Sequence, residues 1–74
     1  MLNGYVYDNK DANIESWDLN IESFTFHCSY TPQDDWIEVF CSEISSAPKG
    51  AEAKYMNHAS IAKFLASEIL KEAT

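Results

Sequence analysis

Phe24, Phe26, Cys28 and Tyr30 alternate with Thr25, His27 and Ser29, and Ile37, Val39 and Cys41 alternate with Trp36, Glu38, Phe40 and Ser42. A repeat of two marks a strand with one buried face. Between the two runs lies Thr31-Pro32-Gln33-Asp34-Asp35, rich in turn formers, so the pair reads as a β-hairpin. Setting Thr31 opposite Trp36 places Tyr30 against Ile37, Cys28 against Val39 and Phe26 against Cys41. That register gathers the apolar side chains on one face; a slip of one residue would mix the faces. The opposite face then carries Thr25, His27, Ser29 and Thr31 facing Ser42, Phe40, Glu38 and Trp36.

The period changes toward the C-terminus. At 100° per residue, Ala51, Tyr55, Ala59, Ala62, Ala66, Ile69, Leu70 and Ala73 fall on one stripe, with His58 and Leu65 at its edge. The pattern predicts a helix over 48–73 that lies close to a flat surface, because alanine permits close approach. Ser45 or Ser46 would cap it and Pro48 would sit in its first turn.

Upstream, Gly4-Tyr5-Val6-Tyr7 reads as a short strand and 8–13 as a polar loop. From Ile14 to Glu22 two periods compete: Ile14, Trp17 and Ile21 fit a helix, whereas Trp17, Leu19 and Ile21 fit a strand. Asn13, Ser16, Asn20 and Ser23 form helices poorly, which favours extended chain. The phase of the apolar positions shifts between Ile21 and Phe24, predicting a bulge or bend at Glu22-Ser23. The expected architecture is α+β in one domain over 1–74. A three-stranded antiparallel sheet occupies 1–47, in β-β-β-α order, with the helix packed on one face. Trp36, Phe40 and His27 share the polar face, where the segment carrying Trp17, Leu19 and Ile21 could fold over them. The competing expectation is an exposed aromatic patch ringed by acids, the composition favoured at interface centres.

Seventy-four residues support one small core near the lower limit of independent stability, which favours a bound partner or a second copy of the chain. Twelve carboxylates against five cations, all lysine, leave a net charge of −7. Such a surface repels polyphosphate, so direct nucleic-acid binding is not expected; a basic partner, or simple solubility, suits it better. No apolar run approaches the roughly 18 residues of a membrane span. Met1-Leu2-Asn3-Gly4 shows no basic segment followed by an apolar block. The expected location is the cytoplasm of a bacterium or a phage-infected cell.

Several strings invite chemistry. Asp11, Asn13, Glu15 and Glu22 occupy positions 1, 3, 5 and 12 of an EF-hand-like loop. Ser16 stands where that loop needs glycine, and no helix is evident before Asp11, so a solvated acidic loop is the expectation. Cys28 and Cys41 are diagonal neighbours in the expected register, poor geometry for a disulfide, and read as small buried hydrophobes. Zinc held by His27, Cys28, Cys41 and His58 would need ligands from both faces of one strand. Ser60-Ile61-Ala62-Lys63 matches an S-x-x-K string, but so short a chain cannot add the oxyanion hole and pocket that acyl-serine enzymes need. His58, at the rim of the stripe, reads as a structural histidine. The chain has two glycines and no glycine-rich phosphate loop. The expectation is a protein that is not an enzyme and uses no cofactor or metal.

As a tiny, acidic, cysteine-poor sheet-plus-helix chain, it resembles in type the small inhibitory proteins of phages and mobile elements, some anti-CRISPR proteins among them. That resemblance rests on size and charge and covers no motif. It implies an inhibitor that occupies a basic, nucleic-acid-binding surface of a host protein. Asp18, Glu22, Asp34, Asp35 and Glu38 would serve as phosphate surrogates. A second expectation is a homodimeric structural or regulatory module, antitoxin-like, that binds through Trp36, Phe40 or Phe64. Phe64 falls on the far side of the predicted helix, among Asn57, Ser60, Glu68 and Lys71.

Overall fold

The hairpin alternation is the backbone of the fold. In the computed structural model, which describes residues 14–73, the strands are β1 (Glu15–Ile21), β2 (Phe24–Thr31), β3 (Trp36–Phe40) and β4 (Lys49–Glu52), followed by helix α1 (His58–Ala73). The four strands form one antiparallel sheet in sequence order. β2 and β3 pair Thr31 with Trp36, Tyr30 with Ile37, Cys28 with Val39 and His27 with Phe40, the register that a single apolar face requires. Cys41 lies just beyond the last pair, yet it is buried in the same core as Phe26.

α1 covers that face. Ile61, Ala62, Leu65, Ala66 and Ile69 are its buried residues, spaced by three and four, and they meet Phe26, Cys28, Ile37 and Val39. Phe26, Ile37, Val39 and Ile69 are wholly inaccessible; each such side chain contributes roughly 1.5–3 kcal/mol relative to exposure. The helix packs chiefly on β3, then on β4 and β2. A helix is about 10–12 Å across and strands lie about 4.8 Å apart, so one helix cannot roof four strands. Trp17, Leu19 and Ile21 of β1 therefore turn toward the core but stay only half-buried.

Among the described residues the sheet has four strands, not three, and the fourth comes from chain read as helix. Lys49–Glu52 is a strand and α1 begins at His58, eight residues after Gly50. The helical phase had placed Ala51 and Tyr55 on the buried stripe; instead Ala51 lies on β4 and Tyr55 is fully exposed. Ala59 and Ala73 also face solvent, and Ile61, absent from the stripe, is buried. The cap is Asn57, not Ser45 or Ser46: its Oδ1 accepts the Ser60 N–H at 3.0 Å, satisfying an otherwise orphaned donor of the first turn. Pro48 precedes β4 rather than opening the helix.

At Glu22-Ser23 there is no bulge but a tight two-residue hairpin turn joining Ile21 to its partner Phe24, with Glu22 at φ 59°. Trp17, Leu19 and Ile21 do not fold over the aromatics of the polar face. They pair alongside Cys28, Phe26 and Phe24 and share the core face. The expectation of extended chain over 14–22 holds. The strand read at Gly4–Tyr7 lies outside the described residues.

Two internal features fix where loops go. The Trp36 indole lies over Gly50, where a Cβ would penetrate the ring at Cε2, Cζ2 and Nε1, so the ring can keep this seat on β4 only with glycine there. The turn Ala53-Lys54-Tyr55-Met56 is closed by the Met56 N–H to Ala53 C=O bond at 2.9 Å. It holds Lys54 at φ 50° and Tyr55 at φ 68°, left-handed conformations that cost non-glycine residues about 1–2 kcal/mol each.

Asn57→Ala should cost about 1 kcal/mol of stability and Ile69→Ala about 2–5 kcal/mol, measured by urea denaturation. Thiol titration supplies a second check on the core. Cys28 and Cys41 are free and buried, and burial, aided by the charge of Asp18, pushes the Cys28 thiol up. Both should resist a thiol reagent at neutral pH until the chain unfolds.

Candidate protein-binding face

The sheet face away from α1 is built by the alternate residues of all four strands: Ser16, Asp18 and Asn20; Thr25, His27, Ser29 and Thr31; Trp36, Glu38 and Phe40; Gly50 and Glu52. Alternation brings them here for the same reason that it buries Ile37 and Val39. Trp36 is 39% exposed and Phe40 44% exposed, unusual for large apolar side chains on a strand. His27 sits between Asp18 and Phe40 in one cross-strand row. Its Nδ1 is 3.0 Å from Asp18 Oδ1 and its ring centroid is 5.0 Å from that of Phe40. A shallow open depression of about 340 Å³ lies among Asp18, His27, Glu38 and Phe40.

The carboxylates of this face run diagonally: Asp18 on β1, Glu38 on β3, Glu52 on β4. Strand spacing and rise put successive Cα atoms roughly 12 Å and 8 Å apart. Glu52 is partly offset by Lys54 at 3.7 Å, whereas Glu38 has no ion pair among the described residues. Charge is segregated along the chain. Over residues 14–48 there are seven carboxylates and no lysine or arginine, while 49–73 carries four lysines against three glutamates. The acidic field is therefore concentrated on β1–β3 and their turns.

The eight residues singled out from the sequence do not form one cluster. Asp18, Trp36, Glu38 and Phe40 share the open face. Asp34 and Asp35 lie in the β2–β3 turn beside Trp36, whereas Glu22 is in the β1–β2 turn at the other end of the sheet. Phe64, 62% exposed, is on the helix layer, away from all of them.

Asp35 is a structural clamp before it is a surface charge. Its Oδ1 accepts the Tyr30 hydroxyl at 3.0 Å, its Oδ2 accepts the Lys54 N–H at 2.9 Å, and its carbonyl accepts the Ala53 N–H at 2.9 Å. These bonds tie the hairpin turn to the strained turn before α1. The Lys54 N–H, then the Tyr30 hydroxyl, hold the Asp35 carboxyl below its usual value, with smaller help from His58 and Lys54 charges. The same hydrogen bond raises the Tyr30 hydroxyl. Sequence reasoning missed Glu52 as a member of the open face, since it hinged on seeing β4. Ring stacking of Tyr30 on His58, with centroids 3.9 Å apart, and the 3.5 Å approach of His58 to Glu15 give His58 a structural place.

Glu15–Ile21 is a strand, so Glu15 and Glu22 lie about 23 Å apart and cannot share a calcium loop; Asp11 and Asn13 lie outside the described residues. His27 and Cys28 point to opposite faces, as adjacent strand residues must. Among the described residues, no group of His, Cys, Asp and Glu is placed to hold a metal ion, and no helix is long and apolar enough to cross a membrane. Compared with protein-family models, with curated proteins and with solved structures, the chain matches none.

The depressed Asp35 value sets a pH signature. A carboxyl lowered in the folded state stabilises it fully above the unfolded value of about 3.9, and loses that effect as pH falls through the lower folded value. Asp35→Asn should therefore lower the melting temperature at neutral pH. Its deficit against the parent chain should narrow in acid, below about pH 4, as followed by thermal denaturation across pH.

Proposed function

We propose that the protein is a non-enzymatic binding module whose open sheet face occupies a basic surface on another protein. The reading comes down to one observation: exposed Trp36 and Phe40 stand among Asp18, Glu38 and Glu52 on a face whose strands β1–β3 hold no cation. Aromatic anchors supply desolvated contact, while surrounding carboxylates steer a basic partner into register and disfavour acidic ones. A flat, rigid sheet needs little reordering on binding, which keeps the entropic cost low.

The basic surfaces best matched by a diagonal row of carboxylates are those that hold a phosphate backbone. The finer proposal is an inhibitor of the phage or mobile-element type that stands in for nucleic acid on a host protein in the cytoplasm. Size, net charge and the segregation of acids toward 14–48 support that reading. Asp34 extends the acidic field beside Trp36. Asp35 contributes its charge to the field but keeps its oxygens in the Tyr30 and Lys54 bonds.

Immobilised chain should capture nucleic-acid-binding proteins from host lysate at low salt and release them as salt rises. Added nucleic acid should compete for them. The double variant Asp18→Lys with Glu38→Lys should lose capture while keeping its fold by circular dichroism. Trp36→Ala should weaken binding by about 2 kcal/mol or more, as at an interface hot spot. Capture unchanged in both variants would contradict the proposal.

A further inference from the structure

On the helix layer a second surface is more apolar than the open sheet face and shares only Glu52 with it. A groove of about 400 Å³ is lined by Ala51, Glu52, Met56, Ser60, Ile61 and Phe64, between α1 and β4. Met56 is 61% and Phe64 62% exposed. β4 is the last strand of the sheet, and among the described residues no strand pairs with its outer edge. An edge with unpaired backbone groups beside an apolar groove invites strand addition.

Charge favours a second copy as the occupant. A chain of net charge −7 repels its own copy, but not equally from every side. The segment 49–73, which builds this surface, carries four lysines against three glutamates, whereas 14–48 carries seven carboxylates and no cation. Two copies meeting through β4 and α1 therefore approach with their near-neutral sides and keep their acidic faces apart.

We infer that the protein forms a two-fold dimer in which the β4 edges run antiparallel and each Phe64 enters the groove of the other copy. A two-fold axis perpendicular to the sheet keeps both helices on one side and makes the contact self-complementary. It joins two four-stranded sheets into one and leaves both open faces free. A standard interface takes about 800 Å² per partner, about 15% of the 5202 Å² surface. The dimer is independent of the sheet-face reading: either can fail alone.

Sedimentation equilibrium of the full chain over micromolar concentrations tests it. The parent chain should sediment at twice its chain mass and keep doing so at high salt. Phe64→Ser should raise the dissociation constant at least tenfold, and Met56→Ser should do so less strongly; both residues are exposed, so the fold should persist. A parent chain that remains monomeric overturns the inference. Dimers insensitive to both substitutions but broken by Trp36→Ala also overturn it, because the copies would then meet through the open face. A monomer whose melting temperature falls with Phe64→Ser overturns it as well, and would assign the groove to another segment of the same chain.

Discussion

The pairing of Thr31 with Trp36 decides the character of both surfaces of this molecule. Once those residues are opposite, strand geometry leaves no freedom: Tyr30, Ile37, Cys28 and Val39 point one way, and Ser29, Glu38, His27 and Phe40 the other. The first set becomes the floor on which α1 lands. The second becomes a display of aromatic rings and carboxylates. A slip by one residue would bury Glu38 and His27 without partners, a cost far beyond what so small a core could absorb. The turn that enforces the pairing is itself secured by Asp35, whose side chain and carbonyl reach across to the segment leading into the helix.

Because a single helix is narrower than a four-stranded sheet, coverage is unequal. It is complete over Ile37 and Val39 and partial over Trp17 and Leu19. A groove lies between α1 and β4. The chain thus carries two accessible surfaces of opposite kind, one acidic with embedded aromatics and one apolar and nearly neutral. Charge segregation between 14–48 and 49–73 keeps them distinct. The basic partner and the second copy that we propose would therefore meet different faces, with Glu52 alone common to both.

The hairpin was legible because its alternation is strict over residues 24–30 and 36–42 and only one register gathers Phe26, Cys28, Tyr30, Ile37, Val39 and Cys41 on one side. The extended state of β1 was legible from poor helix formers that outweighed an ambiguous period. β4 was not. Ala51, Glu52, Ala53 and Lys54 have good helix propensity and continue the downstream phase, so local preference argued for helix. Pairing with β3 and the seat of Trp36 on Gly50 overrode it, as tertiary context does for short strands. Missing β4 displaced the cap from Asn57 and rotated the buried stripe away from Ile61. Of the candidate site, Asp18, Trp36, Glu38 and Phe40 follow directly from strand parity. The clamp role of Asp35 depends on a contact nineteen residues away in sequence, which no local pattern encodes.

The central claim is that one face of the sheet is sealed by α1 and the other stands open with its aromatics exposed. A soluble paramagnetic probe, read by NMR relaxation of side-chain protons, addresses this most directly. The account predicts strong relaxation for Trp36 and Phe40 and protection for the methyl groups of Ile37, Val39 and Ile69. Protection of Trp36 and Phe40 equal to that of Ile37 would contradict it, because the face assigned to binding would then be part of the interior.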